Sequence, residues 1–320
     1  MALSAQGFAR PFEFSPPVKG IVFKIASAFV FTVMVTLVKV LSDRYPVGEI
    51  LFARNFFALI PVFAMVALRR EWGLAFTTKQ PLGHLGRGVL GVASMFLWFS
   101  SLSLLPLHDA TAISYAAPLI TVALAAIVLG ETVRAYRWSA VGIGFFGILL
   151  VLSPHLGTSD LDGPMAWGAM ACLLSAVLMA LAMISIRKLT ETERTTTIVV
   201  YFSLISTVLS LFTLPLGGWV MPDAIGALML VSIGLCGGLG QILLTQAYRY
   251  AEASTIAPFD YTTMVWVLLF GVLIFSEIPT LEVIVGSLIV IGAGLFVIYR
   301  EQRLGIDRTK ARRASTPSKA

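Results

Sequence analysis

Charge is what this sequence has least of. Asp, Glu, Lys and Arg make up 12% of its 320 residues, where a soluble domain carries about 25%. Hydrophobic residues make up 58%. So little charge cannot cover so much apolar surface in water, which excludes an ordinary soluble domain and points to an integral membrane protein. Cysteine is nearly absent: Cys172 and Cys236 both lie in apolar runs, which excludes a disulfide framework and a cysteine metal cluster. His84, His108 and His155 are scattered along the chain and make no metal site. The apolar runs are continuous rather than alternating, so barrel strands are excluded. There is no P-loop for ATP-driven work and no HExxH pair. Asp260 is the single acid deep inside an apolar run. An enzyme therefore has no support, and no cofactor is expected. The polar, proline-containing start MALSAQGFARPFEFSPPVKG does not read as a cleavable signal peptide.

What the chain has is ten apolar runs long enough to span a bilayer, since a spanning helix needs about 20 residues. They cover 20–41, 46–68, 83–104, 108–129, 136–152, 164–186, 195–216, 223–247, 254–276 and 281–299. Eighteen of the 23 Lys and Arg fall in the two tails and in, or at the edge of, the even-numbered loops. The odd-numbered loops hold only Arg44. This bias predicts that both termini are cytoplasmic in a bacterial-type inner membrane. The same bias explains the net charge of +6 without nucleic acid. The tail REQRLGIDRTKARRASTPSKA reads as a solvated, disordered segment, with lipid headgroups as a lesser partner.

The sequence repeats itself. LHDATAISYAAPLITVALAAIVLGET (107–132) aligns with ASTIAPFDYTTMVWVLLFGVLIFSEI (253–278), placing Tyr115 on Tyr261 and Glu131 on Glu277. VGIGFFGILLVL (141–152) is echoed by VGSLIVIGAGLFVI (285–298). Each half then holds five helices, and an odd number makes the second half enter the membrane from the other side. The expected fold is all-α, with ten transmembrane helices as an inverted repeat of two five-helix halves. The divisions are an N-tail (1–19), a first repeat (20–152), an external linker (153–163), a second repeat (164–299) and a C-tail (300–320). Inverted repeats underlie many alternating-access carriers, whose substrates bind near the midplane.

Three stretches carry a family resemblance: LFARNFFALIP, SLLPLHDATAISYAAPLITVALAAIVLGE and AYRYAEASTIAPFDYTTMVWVLLFGVLIFSEIPT. With them the chain resembles the EamA type of the drug/metabolite transporter superfamily over nearly its whole length. The resemblance implies two EamA repeats and secondary transport of a small organic metabolite. HLGRGVLGVASMFLWFSSLSLLPLHDATAISYAAPL is similar to the branch with riboflavin and S-adenosylmethionine carriers. The expected function is riboflavin uptake. The alternatives are S-adenosylmethionine uptake and export of amino acids, drugs or other metabolites.

Candidate binding or coupling residues are those a bilayer tolerates poorly. Asp260 lies six residues into segment nine, about 9 Å along the axis. It reads either as a proton-coupling or substrate-binding carboxylate, or as half of a structural ion pair. Arg54 lies about 12 Å into segment two. Its fork suits a substrate anion, Asp109 or a helix-bracing role. Lys39 near the end of segment one either snorkels or binds. Lys24 and Arg87 read as topological anchors. Trp98, Tyr115, Tyr261 and Trp266 are candidate pocket walls on which a planar substrate stacks. Gln241 is an uncharged polar group on the pathway. Glu131 and Glu277 read as caps and inter-helix partners at helix exits. Pro61 and Pro118 are expected to kink their helices. The expected partners are a small-molecule substrate, a coupling proton and membrane lipid.

Overall fold

A computed structural model describes residues 16–128, 135–156, 163–189, 192–250 and 257–314. The described chain is helical throughout: α1 (Pro16–Leu41), α2 (Val47–Arg69), the short α3 (Trp72–Ala75), α4 (Pro81–Leu102), α5 (Leu107–Ser114), α6 (Ala116–Val128), α7 (Ala135–Leu156), α8 (Pro164–Leu189), α9 (Thr195–Leu211), the short α10 (Leu214–Gly217) and α11 (Ala224–Tyr250). A 3-10 turn over Ala257–Tyr261 then leads into α12 (Thr262–Phe275), and α13 (Leu281–Ala314) closes the chain. Among described residues five helices are long and apolar enough to cross a membrane, namely α1, α2, α4, α8 and α11, and four shorter apolar helices lie in α7, α9, α12 and α13. The remaining apolar run, segment four, is divided between α5 and α6. The protein is an all-α membrane protein.

Two elements differ from the sequence reading. Segment four breaks at Tyr115, where α5 ends. Pro118 has no N–H, so the carbonyl of Ser114, four residues earlier, loses its helical donor. The break falls at that carbonyl, while α2 carries Pro61 internally without interruption. The second difference is the basic tail, which does not start as coil: α13 continues to Ala314. Arg, Lys, Gln, Leu and Ala dominate 300–314 and proline first appears at 317, so nothing local stops the helix.

Packing follows the repeat. The first helix of one half lies on the third of the other: α1 packs on α11, and α8 packs on α4. The second helices of the two halves, α2 and α9, pack on each other, as do the fifth, α7 and α13. The hydrogen bonds repeat as well. Ser27 Oγ donates to the Gly240 carbonyl of α11 at 2.8 Å. Its equivalent, Ser175 Oγ, donates to the Ser94 carbonyl of α4 at 2.8 Å.

Small residues permit the close crossings. A Cβ on Gly147 of α7 would stand 2.8 Å from the Gly286 carbonyl oxygen of α13, and one on Gly286 would stand 2.6 Å from the Gly147 carbonyl oxygen. Backbone lies against backbone here, as in small-residue interfaces of membrane helices. Outward faces carry exposed apolar side chains such as Leu68, Leu228, Leu273 and Leu288, as a lipid-facing surface requires.

Candidate functional site

Charged side chains in this bundle are arranged in two ways. Along one seam they pair. Lys24 Nζ of α1 lies 2.5 Å from Asp260 Oδ1 in the 3-10 turn. Lys39 Nζ, near the other end of α1, lies 2.8 Å from Glu277 Oε1, just beyond α12. One pair at each end makes α1 and the ninth segment parallel. Glu277 does more: its Oε2 accepts from the backbone N–H of Leu107 at 2.8 Å, so it caps α5 as well as holding α1. Lys39 also donates to the Leu105 carbonyl at 2.5 Å. The lysine therefore lies in a network of three chain segments rather than extending to a membrane surface. Lys24, read as a topological anchor, is buried and ion-paired. In the second half Cys172 stands three residues before Ser175, as Lys24 stands three before Ser27. The repeat fold therefore does not need an ion pair at this place. Glu131, the repeat mate of Glu277, lies outside the described residues.

Asp260 is not in an α-helix. It lies in the 3-10 turn with its side chain 54% exposed. The expected depth inside a regular helix is replaced by a position at a helix start, where a carboxylate is favoured by the free amides and the dipole.

Between the halves lie two arginines that, among the described residues, have no acid within ion-pair distance. A cavity of about 130 Å³ opens between the halves, lined by α2 and α4 from the first and by α8, α9 and α11 from the second. Its polar lining is Arg54, Arg87, Ser203, Gln241 and Thr245, with no Asp or Glu among the lining residues. Arg54 is 8% exposed. Its Nη1 donates to Asn55 Oδ1 at 2.9 Å, and Asn55 Nδ2 in turn donates to the Leu51 carbonyl at 2.9 Å. Asn55 thus positions its neighbour rather than bridging to another helix. Gly237 of α11 faces the same guanidinium: a Cβ there would stand 3.2 Å from Arg54 Nε. Arg87 lies with its guanidinium 4.0 Å from the centre of the Phe202 ring, a cation–π stack. Gly91, one turn on, leaves the room for it, since a Cβ there would collide with Arg87 Nη1 and Phe202.

Of the residues expected to act, Arg54 and Gln241 meet in this cavity. Tyr115 and Tyr261 instead meet each other, edge to face, with ring centroids 5.3 Å apart. Trp266 packs edge-on to Phe29 at 5.1 Å, and Trp98 is tilted against Phe99 at 5.8 Å. None of these four aromatics lines the cavity. Phe202 was not singled out from sequence, and Arg87 was read only as a topological anchor. The signal was present in Arg87 and Gly91, an arginine and a glycine four apart on one helical face, but distance from the helix start made Arg87 look like an interfacial anchor.

Known proteins agree with this architecture. The pattern of the EamA-like transporter family matches residues 18–153 and 166–300. The chain is 28% identical over 284 residues to an S-adenosylmethionine uptake transporter of Rickettsia prowazekii, covering 89% of this chain and 94% of that protein. It is 28% identical to a riboflavin transporter of Rhizobium johnstonii, covering 91% and 94%. It is 29% identical to a pseudopaline exporter of Pseudomonas aeruginosa, covering 86% and 94%. One solved crystal structure shares the fold with a TM-score of 0.65 at 18% identity, covering 89% of this chain and 97% of the other.

Proposed function

We propose, from the premise that this chain belongs to the EamA-like transporter family, that it is a secondary carrier of a small organic metabolite in a bacterial-type inner membrane. The cavity lined by both halves carries this reading. Rocking of one half against the other exposes such a cavity to each side in turn. The inter-half contacts that change are the polar ties at the ends of α1, Lys24–Asp260 and Lys39–Glu277. Both termini are assigned to the cytoplasm by the charge bias of the loops. A cysteine introduced at Arg303 is expected to react with an impermeant maleimide only after the membrane is opened.

The relatives name two substrates to test first, S-adenosylmethionine and riboflavin. The cavity offers the former one matching group. Its cationic forks suit the carboxylate of S-adenosylmethionine, while no acid in the lining meets that molecule's sulfonium and ammonium charges; riboflavin is uncharged and gains nothing from the forks. The four aromatics expected to stack a planar substrate such as a flavin pack on other rings. Asp260 is assigned the coupling proton, since its carboxylate both pairs with Lys24 and is open to solvent.

Cells expressing the chain are tested for uptake of labelled S-adenosylmethionine and, in a riboflavin auxotroph, for growth on limiting riboflavin. Saturable uptake of either supports the carrier reading. Insertion at normal abundance with uptake of neither counts against import and shifts weight to export. Asp260→Asn at matched abundance is expected to lose uphill accumulation but keep exchange. Normal uphill accumulation removes the coupling role.

A further inference from the structure

We propose that Arg54 and Arg87 form an oxyanion-binding site, and that the transported metabolite is recognised through a carboxylate or phosphate group. This rests on the carrier reading and names the substrate class for the same cavity.

Four observations carry it. Arg54 and Arg87 both line the cavity, and a guanidinium is charged at any accessible pH. Neither is within ion-pair distance of an Asp or Glu among the described residues. Arg54 Nε, Arg87 Nε and Arg87 Nη1 are buried donors with no hydrogen-bond partner. Finally, both side chains are held in place without using up their forks. Asn55 takes one N–H of Arg54, and Phe202 supports the flat face of Arg87, which leaves its Nε and Nη1 free.

Burying a charge without a partner costs several kcal/mol, and a native chain keeps it where a ligand supplies the counter-charge. Two guanidiniums on one wall also repel each other, which an anion between them reverses. A planar fork matches the two oxygens of a carboxylate or phosphate in bidentate geometry. Gln241, Ser203 and Thr245 complete the lining with groups suited to uncharged polar parts of the same molecule. The volume of about 130 Å³ is small against ordinary ligand pockets of ≈ 300–1,000 Å³, so the anionic group and its near neighbours fill it.

Binding is tested on the purified full chain in detergent, which separates it from transport. Thermal unfolding is followed with succinate, with inorganic phosphate and with neutral succinamide at equal osmolarity. Succinate or phosphate is expected to raise the midpoint in a saturable way, by about 3 °C near saturation, because a ligand that binds only the folded state stabilises it by mass action. The larger of the two effects tells carboxylate from phosphate. Succinamide is expected to do nothing. Arg54→Gln and Arg87→Gln are each expected to abolish the response while leaving the ligand-free midpoint level or higher, since each removes an unpaired buried charge. A lower ligand-free midpoint in both would mark them as structural groups and overturn the proposal. So would equal effects of succinate and succinamide on the unaltered chain, a comparison that needs no variant. Failure of uptake with intact anion binding would count against the carrier reading alone.

Discussion

Tyr115 and Tyr261, the two residues that the internal repeat aligns, touch each other edge to face with ring centroids 5.3 Å apart. Equivalent positions meet only where a two-fold axis passes, so this contact marks the pseudo-symmetry axis of the bundle. It lies between the break in segment four and the 3-10 turn that opens segment nine. Motion of one half against the other must slide or part these rings. Tyr115→Ala and Tyr261→Ala are expected to be non-additive in a double-mutant cycle of unfolding, with a coupling of about 1 kcal/mol. Additive effects would show that the rings do not interact.

Glu277 ties three segments, accepting from the Leu107 amide at 2.8 Å and pairing with Lys39 at 2.8 Å. The pair is largely buried, with side chains 13% and 18% exposed, so breaking one side leaves a poorly solvated charge. Lys39→Met or Glu277→Gln alone is expected to cost about 2–3 kcal/mol, and the double variant less than their sum. By contrast Lys24–Asp260, with Asp260 54% exposed, is expected to contribute about 0–1 kcal/mol and to weaken with salt. Unfolding in mixed micelles at two salt concentrations separates the two pairs.

Gly147 and Gly286 set the crossing of α7 and α13, where a Cβ on either would press on the other's carbonyl oxygen at 2.8 and 2.6 Å. Backbone cannot move aside as a flexible side chain does. Gly147→Leu is expected to destabilise by about 3 kcal/mol or more, whereas Gly142→Leu, at a position with open space around it, is expected to be neutral. Parallel thermal unfolding of the two variants checks this.

Glu193 anchors the loop before α4. Its Oε1 accepts from Thr78 Oγ1 at 2.9 Å and from the amides of Lys79 and Gln80 at 2.6 and 3.0 Å. Desolvation pushes its pKa up, but these donors, with His84 nearby, outweigh it and hold the carboxyl below its usual range. A depressed folded pKa contributes stability above the unfolded value of about 4.3, and that contribution is lost as pH falls through the folded value. Protection of the Lys79 and Gln80 amides, taken relative to their intrinsic exchange rates at each pH, is therefore expected to fall as the pH is lowered below about 4.3. Glu193→Gln is expected to flatten that dependence.

The helices, the repeat and the inversion were legible because each follows from a running sum: apolar length, loop charge and the aligned tyrosines. Local breaks were not. The apolar run through Tyr115 is unbroken in composition, and only the missing donor of Pro118 decides where it parts. The cavity-lining residues divided on the same ground. Arg54 stands far from either end of its segment, which marks its depth in the sequence alone. Arg87 and Lys24 stand close enough to a helix start to pass for anchors, and only tertiary packing buries them against Phe202 and Asp260. The aromatics were legible as central but not as partners of one another, since their contacts cross between distant segments.

Passage of a metabolite through the cavity that Arg54 and Arg87 line is tested most directly by uptake of radiolabelled S-adenosylmethionine and riboflavin into proteoliposomes holding the unaltered chain or Arg54→Gln at equal density. Saturable uptake of S-adenosylmethionine is expected, accelerated by the same compound loaded inside. A loss of at least about tenfold is expected in Arg54→Gln, the size of one charge-assisted contact. Saturable uptake that Arg54→Gln leaves intact, or a non-saturating flux indifferent to internal substrate, would contradict it.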